Sequence, residues 1–74
     1  MNLEILNNLG RLNKEISDFE TSIKYFKKAI SINCNFLKPY IELGILYGEK
    51  GQIEKSIKLL NKALSIKKKF IEKH

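Results

Sequence analysis

A leucine–glycine pair occurs twice in this chain, in "LNNLGRLNKEIS" (6–17) and "YIELGILYGEKG" (40–51), so that Gly10 and Gly44 stand 34 residues apart. Both runs read as helices, and a glycine inside a helix costs roughly 1 kcal/mol relative to alanine. A cost met twice at one spacing implies a packing reason. Sliding the sequence against itself by 34 places identical residues together at 14 of 34 positions without a gap, from Leu3/Leu37 through Ser22/Ser56 and Ala29/Ala63 to Phe36/Phe70. A fixed period of this length is the mark of a stacked repeat array.

Each unit reads as two helices. Leu3, Leu6, Leu9 and Leu12 recur at helical spacing, with Ile5 and Ile16 beside them. Ser17 and Asp18 make a turn and an N-cap, and the acids Asp18 and Glu20 suit a helix start. Phe19, Ile23, Phe26, Ala29 and Ile30 form the second stripe. "NCNF" (33–36) breaks the pattern, and Pro39 falls in the first turn of a third helix. Tyr40, Leu43 and Tyr47 follow, then Gly51 as a left-handed stop, then Ile53, Ile57, Leu60, Ala63 and Leu64. Helices are therefore expected near 2–15, 18–32, 38–50 and 53–72. Gly10 and Gly44 are expected to let the second helix of each pair approach, with the small Ser22, Ala29, Ser56 and Ala63 facing them. No glycine pattern for nucleotide binding is present.

The second unit carries Tyr40, Leu43-Gly44, Tyr47, Ser56, Leu60 and Ala63; the first carries Leu6, Leu9-Gly10, Ser22, Phe26 and Ala29. In these residues the chain resembles the tetratricopeptide repeat family. It departs from the family pattern at Asn13, in the place of a tyrosine, at Ser22 and Ser56, in the place of alanine, and at Cys34 and Lys68, in the place of proline. The resemblance implies an all-α fold: two stacked antiparallel helix-turn-helix repeats in an α-solenoid that winds as a right-handed superhelix. The units are residues 3–36 and 37–70, and 71–74 is a tail continuing the last helix.

Seventy-four residues make one small domain, whose core supplies on the order of 3–5 kcal/mol. The single cysteine, Cys34, forms no internal disulfide and suits a reducing, cytoplasmic compartment. No signal peptide or apolar run long enough for a bilayer is visible. With one histidine, His74, and no cluster of ligand residues, neither a metal site, a cofactor nor an enzymatic centre is expected. Glu15 and Glu49 recur one repeat apart, and duplication accounts for them.

By resemblance the chain is a protein-interaction scaffold whose partner, a peptide or helix, lies on the face of the first helices. The positions there outside the core stripe include Asn7, Arg11 and Lys14 in the first unit and Lys38, Ile41 and Ile45 in the second. Asparagine bonds a peptide backbone, arginine grips a carboxylate, and the two isoleucines, one turn apart, hold an apolar anchor. A clamp for an acidic C-terminus is excluded, because Glu42 falls where that clamp needs asparagine.

The net charge is 14 basic minus 8 acidic residues, or +6, and ten of the basic residues are lysines of the second helices and the tail. They follow the helix dipole. The alternative is sequence-independent binding of anions or nucleic acid by that stripe, which is not the expected function.

Two repeats lacking a polar cap are expected to self-associate. "SIKKKFIEKH" contains no break, so the last helix is expected to reach about residue 72. Leu60, Leu64, Ile66, Phe70 and Ile71 are then expected to lack intramolecular neighbours. A homo-dimer, by two-fold pairing of last helices or by helix exchange, would cover them.

Overall fold

In a computed structural model, residues 2–72 of the chain are described. Among them are four helices, α1 (Leu3–Glu15), α2 (Phe19–Ile32), α3 (Leu37–Glu49) and α4 (Ile53–Glu72). Each lies within one residue of its expected bounds. Lys73 and His74, the end of the expected tail, lie outside the described residues, as does Met1.

Local chemistry sets the helix ends. The Asn2 side chain accepts from the backbone N–H of Glu4 (2.8 Å) and Ile5 (3.3 Å), and Asp18 accepts from Thr21 N–H at 3.3 Å. These bonds satisfy donors that the first helical turn leaves without partners. No side chain caps α3, but Pro39 in its first turn removes one such donor. Both hairpin turns use one device. Asp18 N–H donates to Asn13 C=O and Gln52 N–H to Tyr47 C=O, each at 2.8 Å. This bond needs a left-handed residue just before the donor. Gly51 supplies it at φ 82°, as expected, and Ser17 supplies it at φ 65°, where a side chain is strained.

α1 packs on α2 and α3 on α4, while α3 also lies against α2 and touches α1. One core cluster joins Phe26 to Leu43 and Tyr47, with Ile23, Ile30 and Leu59 around them. A second joins Tyr40, Ala63 and Ile66. Tyr40 also ties the linker down, its hydroxyl donating to Cys34 C=O at 2.8 Å. Burial, and secondarily the Cys34 thiol, push that hydroxyl's pKa above its ordinary value. Thus the two repeats share one continuous core.

Three expectations require correction. Ser22 and Ser56 do meet Gly10 and Gly44, as expected, but what lies nearest the missing side chain of each glycine is a large residue. A methyl group on Gly10 would meet the Phe26 ring at 2.5 Å, and one on Gly44 would meet Leu60 at 2.7 Å. Large side chains lie over the gaps in the first helices. The serines act on the backbone instead: Ser22 Oγ donates to Gly10 C=O at 2.7 Å and Ser56 Oγ to Gly44 C=O at 2.6 Å. Ile66 is not left without neighbours; it is 2% exposed, because α4 turns that residue toward Tyr40 and Ala63. The leucine stripe of α1 is only partly covered: Leu6 is buried, and Leu12 is 57% exposed.

Candidate functional site

The first helices α1 and α3 meet along a seam crossed by ion pairs. Lys38 Nζ donates to both carboxylate oxygens of Glu4 at 3.1 Å. Arg11 Nε stands 3.9 Å from Glu42, and Lys14 Nζ stands 3.9 Å from Glu49. All three pairs join one repeat to the other. Each is open to solvent and contributes less than about 1 kcal/mol. Together they give the seam alternating charge. Arg11, Lys14 and Lys38 lie along this seam, each facing an acid, and the three pairs carry no net charge to draw an acidic peptide. Glu15 and Glu49 are both exposed, and Glu49 is the partner of Lys14.

Asn7 is a correction. It is 2% exposed, and its Oδ1 has no hydrogen-bond partner among the described residues. It therefore cannot offer its amide to a peptide on the surface. Helical spacing alone puts Asn7 beside Arg11; the presence of the second repeat covers the first and leaves the second open.

Ile41 and Ile45 are both exposed, and Ile41 also borders α4. It lines an open apolar groove of about 480 Å³ between α3 and α4, with Leu37, Leu60, Ala63, Leu64 and Lys67. Spacing alone places Ile41 in a peptide groove and Leu60 and Leu64 in a self-association strip; the fold joins all three. A shift of 34 residues could have found this groove, since Leu60 and Leu64 match Phe26 and Ile30, which α3 covers. Phe70 lies farther along α4, in a hollow of about 210 Å³ with Asn35, Ile66 and Lys69. Ile71 is exposed beside it in sequence.

Lys24, Lys27 and Lys28 on α2 and Lys55, Lys58, Lys62 and Lys67 to Lys69 on α4 are exposed and form no ion pair among the described residues. Cys34 is a free, exposed thiol in the linker. No group of three metal-ligating side chains occurs among the described residues. None of the described helices is long and apolar enough to cross a membrane.

This geometry, two helical hairpins stacked at a period of one repeat, defines a class. The sequence matches the family model for the tetratricopeptide repeat over residues 3–35 and 37–70, and the chain belongs to that family. Such repeats generally mediate protein–protein interaction through the surfaces of the stack, and scaffolds of this family are typically not enzymes. No curated protein matches the chain. Among solved structures it is similar to the crystal structure of MamA, with a TM-score of 0.91 and 26% identity, over 95% of this chain and 41% of MamA. The chain therefore spans less than half of that protein's length.

Proposed function

We propose that the chain is a protein-binding module that receives a peptide or a partner helix along the face of α1 and α3. Arg11, Lys14, Lys38 and Ile45 make the contacts, and Ile41 reaches the same partner from the groove side. The observation that carries this reading is the charged seam. Its three cross-repeat pairs are at least partly open to solvent, and two of them, Arg11–Glu42 and Lys14–Glu49, are long at 3.9 Å, so a bound segment can exchange hydrogen bonds with them at little energetic loss. The alternating sign favours a segment of mixed charge over an acidic tail. The module also associates with itself through the exposed apolar residues Leu60, Leu64, Phe70 and Ile71 of α4.

Panning a random peptide library against the purified chain tests the seam. Selected peptides are expected to shift the backbone amide resonances of Arg11, Lys14, Lys38 and Ile45. Ile45→Asp is expected to weaken them by about tenfold or more, or about 1.4 kcal/mol. Binding that survives Ile45→Asp and Arg11→Glu but is lost on reversing Lys24, Lys28, Lys58 and Lys62 would overturn it.

That last outcome would support a second reading. Among the described residues, the lysines of α2 and α4 have none of the acidic partners that Arg11, Lys14 and Lys38 of the seam have. An anionic polymer would supply them, with affinity falling steeply as salt rises.

A further inference from the structure

The two repeats are copies of one unit in different surroundings. Among the described residues a second hairpin packs after α1/α2 and a first hairpin packs before α3/α4. Leu46 is 0% exposed, whereas Leu12, its equivalent 34 residues earlier, is 57% exposed. Pro39 is buried, whereas its equivalent Ile5 is exposed. Both first helices have their own second helix in place, so the preceding hairpin is what covers Pro39 and Leu46. The opposite end shows the converse. Phe26 is 0% exposed under α3, whereas its equivalent Leu60 is 40% exposed. Ile23 and Ile30 pack against the core, whereas Ile57 and Leu64 are open. The two described hairpins therefore present two apolar faces, related by the same step that the molecule already uses to join its own repeats.

We infer that these two faces bind each other: α1 of a second copy seats in the α3/α4 groove of the first, as α3 seats on α1/α2 within one chain. This rests on the self-association proposed above and replaces a two-fold pairing of last helices with a head-to-tail one. The register supports it in one ion pair and one apolar contact, whereas Arg11–Glu42 and Lys14–Glu49 become Ile45 with Asn8 and Gly48 with Glu15 of the incoming copy and do not recur. Within the chain, Glu4 pairs with Lys38 at 3.1 Å; one step on, Lys38 stands where Glu4 stood and meets Glu4 of the incoming copy, so the pair recurs with its members exchanged. Within the chain, Lys50 lies over the Phe19 ring at 5.9 Å; one step on, Ile16 of the incoming copy lies over Ile53, and both are exposed in the single chain. Leu12 and Ile5 of the incoming copy are then covered as Leu46 and Pro39 are, and its Leu9 and Asn13 lie against Leu60 as Leu43 and Tyr47 lie against Phe26. An interface of two different faces leaves one free face at each end of a dimer, so copies add end to end past the dimer, into an open chain or a closed ring.

Analytical ultracentrifugation of the chain and two variants tests this. Leu12→Glu blocks only the leading face and Leu64→Glu only the trailing one. Both sites are exposed, and far-UV circular dichroism verifies folding, with Ile5→Glu and Ile57→Glu as substitutes. The unmodified chain is expected to grow past a dimer as concentration rises. Each variant alone is expected to be monomeric, and an equal mixture is expected to form a single dimer, joining the intact groove of one to the intact α1 of the other. A dimer that Leu12→Glu leaves unchanged would overturn the head-to-tail arrangement and keep self-association. A monomer at all concentrations to about a millimolar, the weak limit of specific affinity, would overturn both. A groove that takes up selected helical peptides while the chain stays monomeric would also overturn both, and would assign the groove to a different occupant.

Discussion

The two repeats solve the same packing problem with different residues. In the first, the gap at Gly10 is filled by Phe26, a rigid ring with no exposed surface. In the second, the gap at Gly44 is filled by Leu60, a flexible side chain still 40% exposed. The turn of the first is held by Ser17 at positive φ, and that of the second by Gly51. The shared features are the glycine, the serine hydroxyl on its carbonyl, and the bond that closes the turn. The period is thus kept by backbone geometry, and the fillers follow from how many neighbours each unit has.

This contrast ranks the expected losses. Phe26→Ala empties a closed site and is expected to cost about 3–5 kcal/mol, as much as a core of this size supplies. Urea unfolding is then expected to show little cooperative transition. Leu60→Ala removes a half-exposed side chain and is expected to cost about 1–2 kcal/mol. Equal losses would mean that the open end is as well packed as the closed one.

Gly10→Ala is next. Its methyl meets a ring that cannot retreat, and overpacking outweighs the gain of about 1 kcal/mol in helix propensity, for a net loss of about 1–2 kcal/mol. At Gly44 the side chain of Leu60 has room to turn, and Gly44→Ala is expected to leave the melting temperature nearly unchanged. A larger loss at Gly44 would show that Leu60 is held rigidly, as a filled groove would hold it.

Ser22→Ala and Ser56→Ala are each expected to cost about 1 kcal/mol, the net worth of one hydrogen bond. Both donate to matching carbonyls, so chemical denaturation is expected to show equal losses, and a difference would locate the weaker hairpin. The turns give the smallest effect. Ser17→Gly relieves a left-handed residue and is expected to stabilise by about 0.5–1 kcal/mol, while Gly51→Ser is expected to lose a similar amount. Thermal melts of the pair that move in the same direction would break the equivalence of the turns.

Much of the fold was legible in the residues. Asp18, Pro39 and Gly51 mark helix ends through local backbone chemistry, and the helices begin or end within two residues of those marks; Asn2 caps α1 in the same local way. The binding surfaces were less legible. Arg11, Lys14 and Lys38 were visible as basic positions of the first helices, but their pairing with Glu42, Glu49 and Glu4 joins residues about one repeat apart, which depends on how one hairpin sits on the next. Asn7 and Ile41 are equivalent by spacing, yet one is buried and the other lines a groove.

Sequence by itself determined the period, the four helices and the membership of Gly10, Gly44, Ser22 and Ser56 in each hairpin's junction. These follow from helix propensity, capping and the 34-residue echo, all of which act over short separations or repeat identically. Tertiary structure alone decided which copy of each apolar position is covered. Ile66 is buried while its equivalent Ile32 is open, and Leu46 is buried while its equivalent Leu12 is open, although each is an apolar residue of an amphipathic helix. Burial of a repeat's outer faces is a property of the adjacent hairpin, and a unit that reads the same in both copies carries no mark of which neighbour it has.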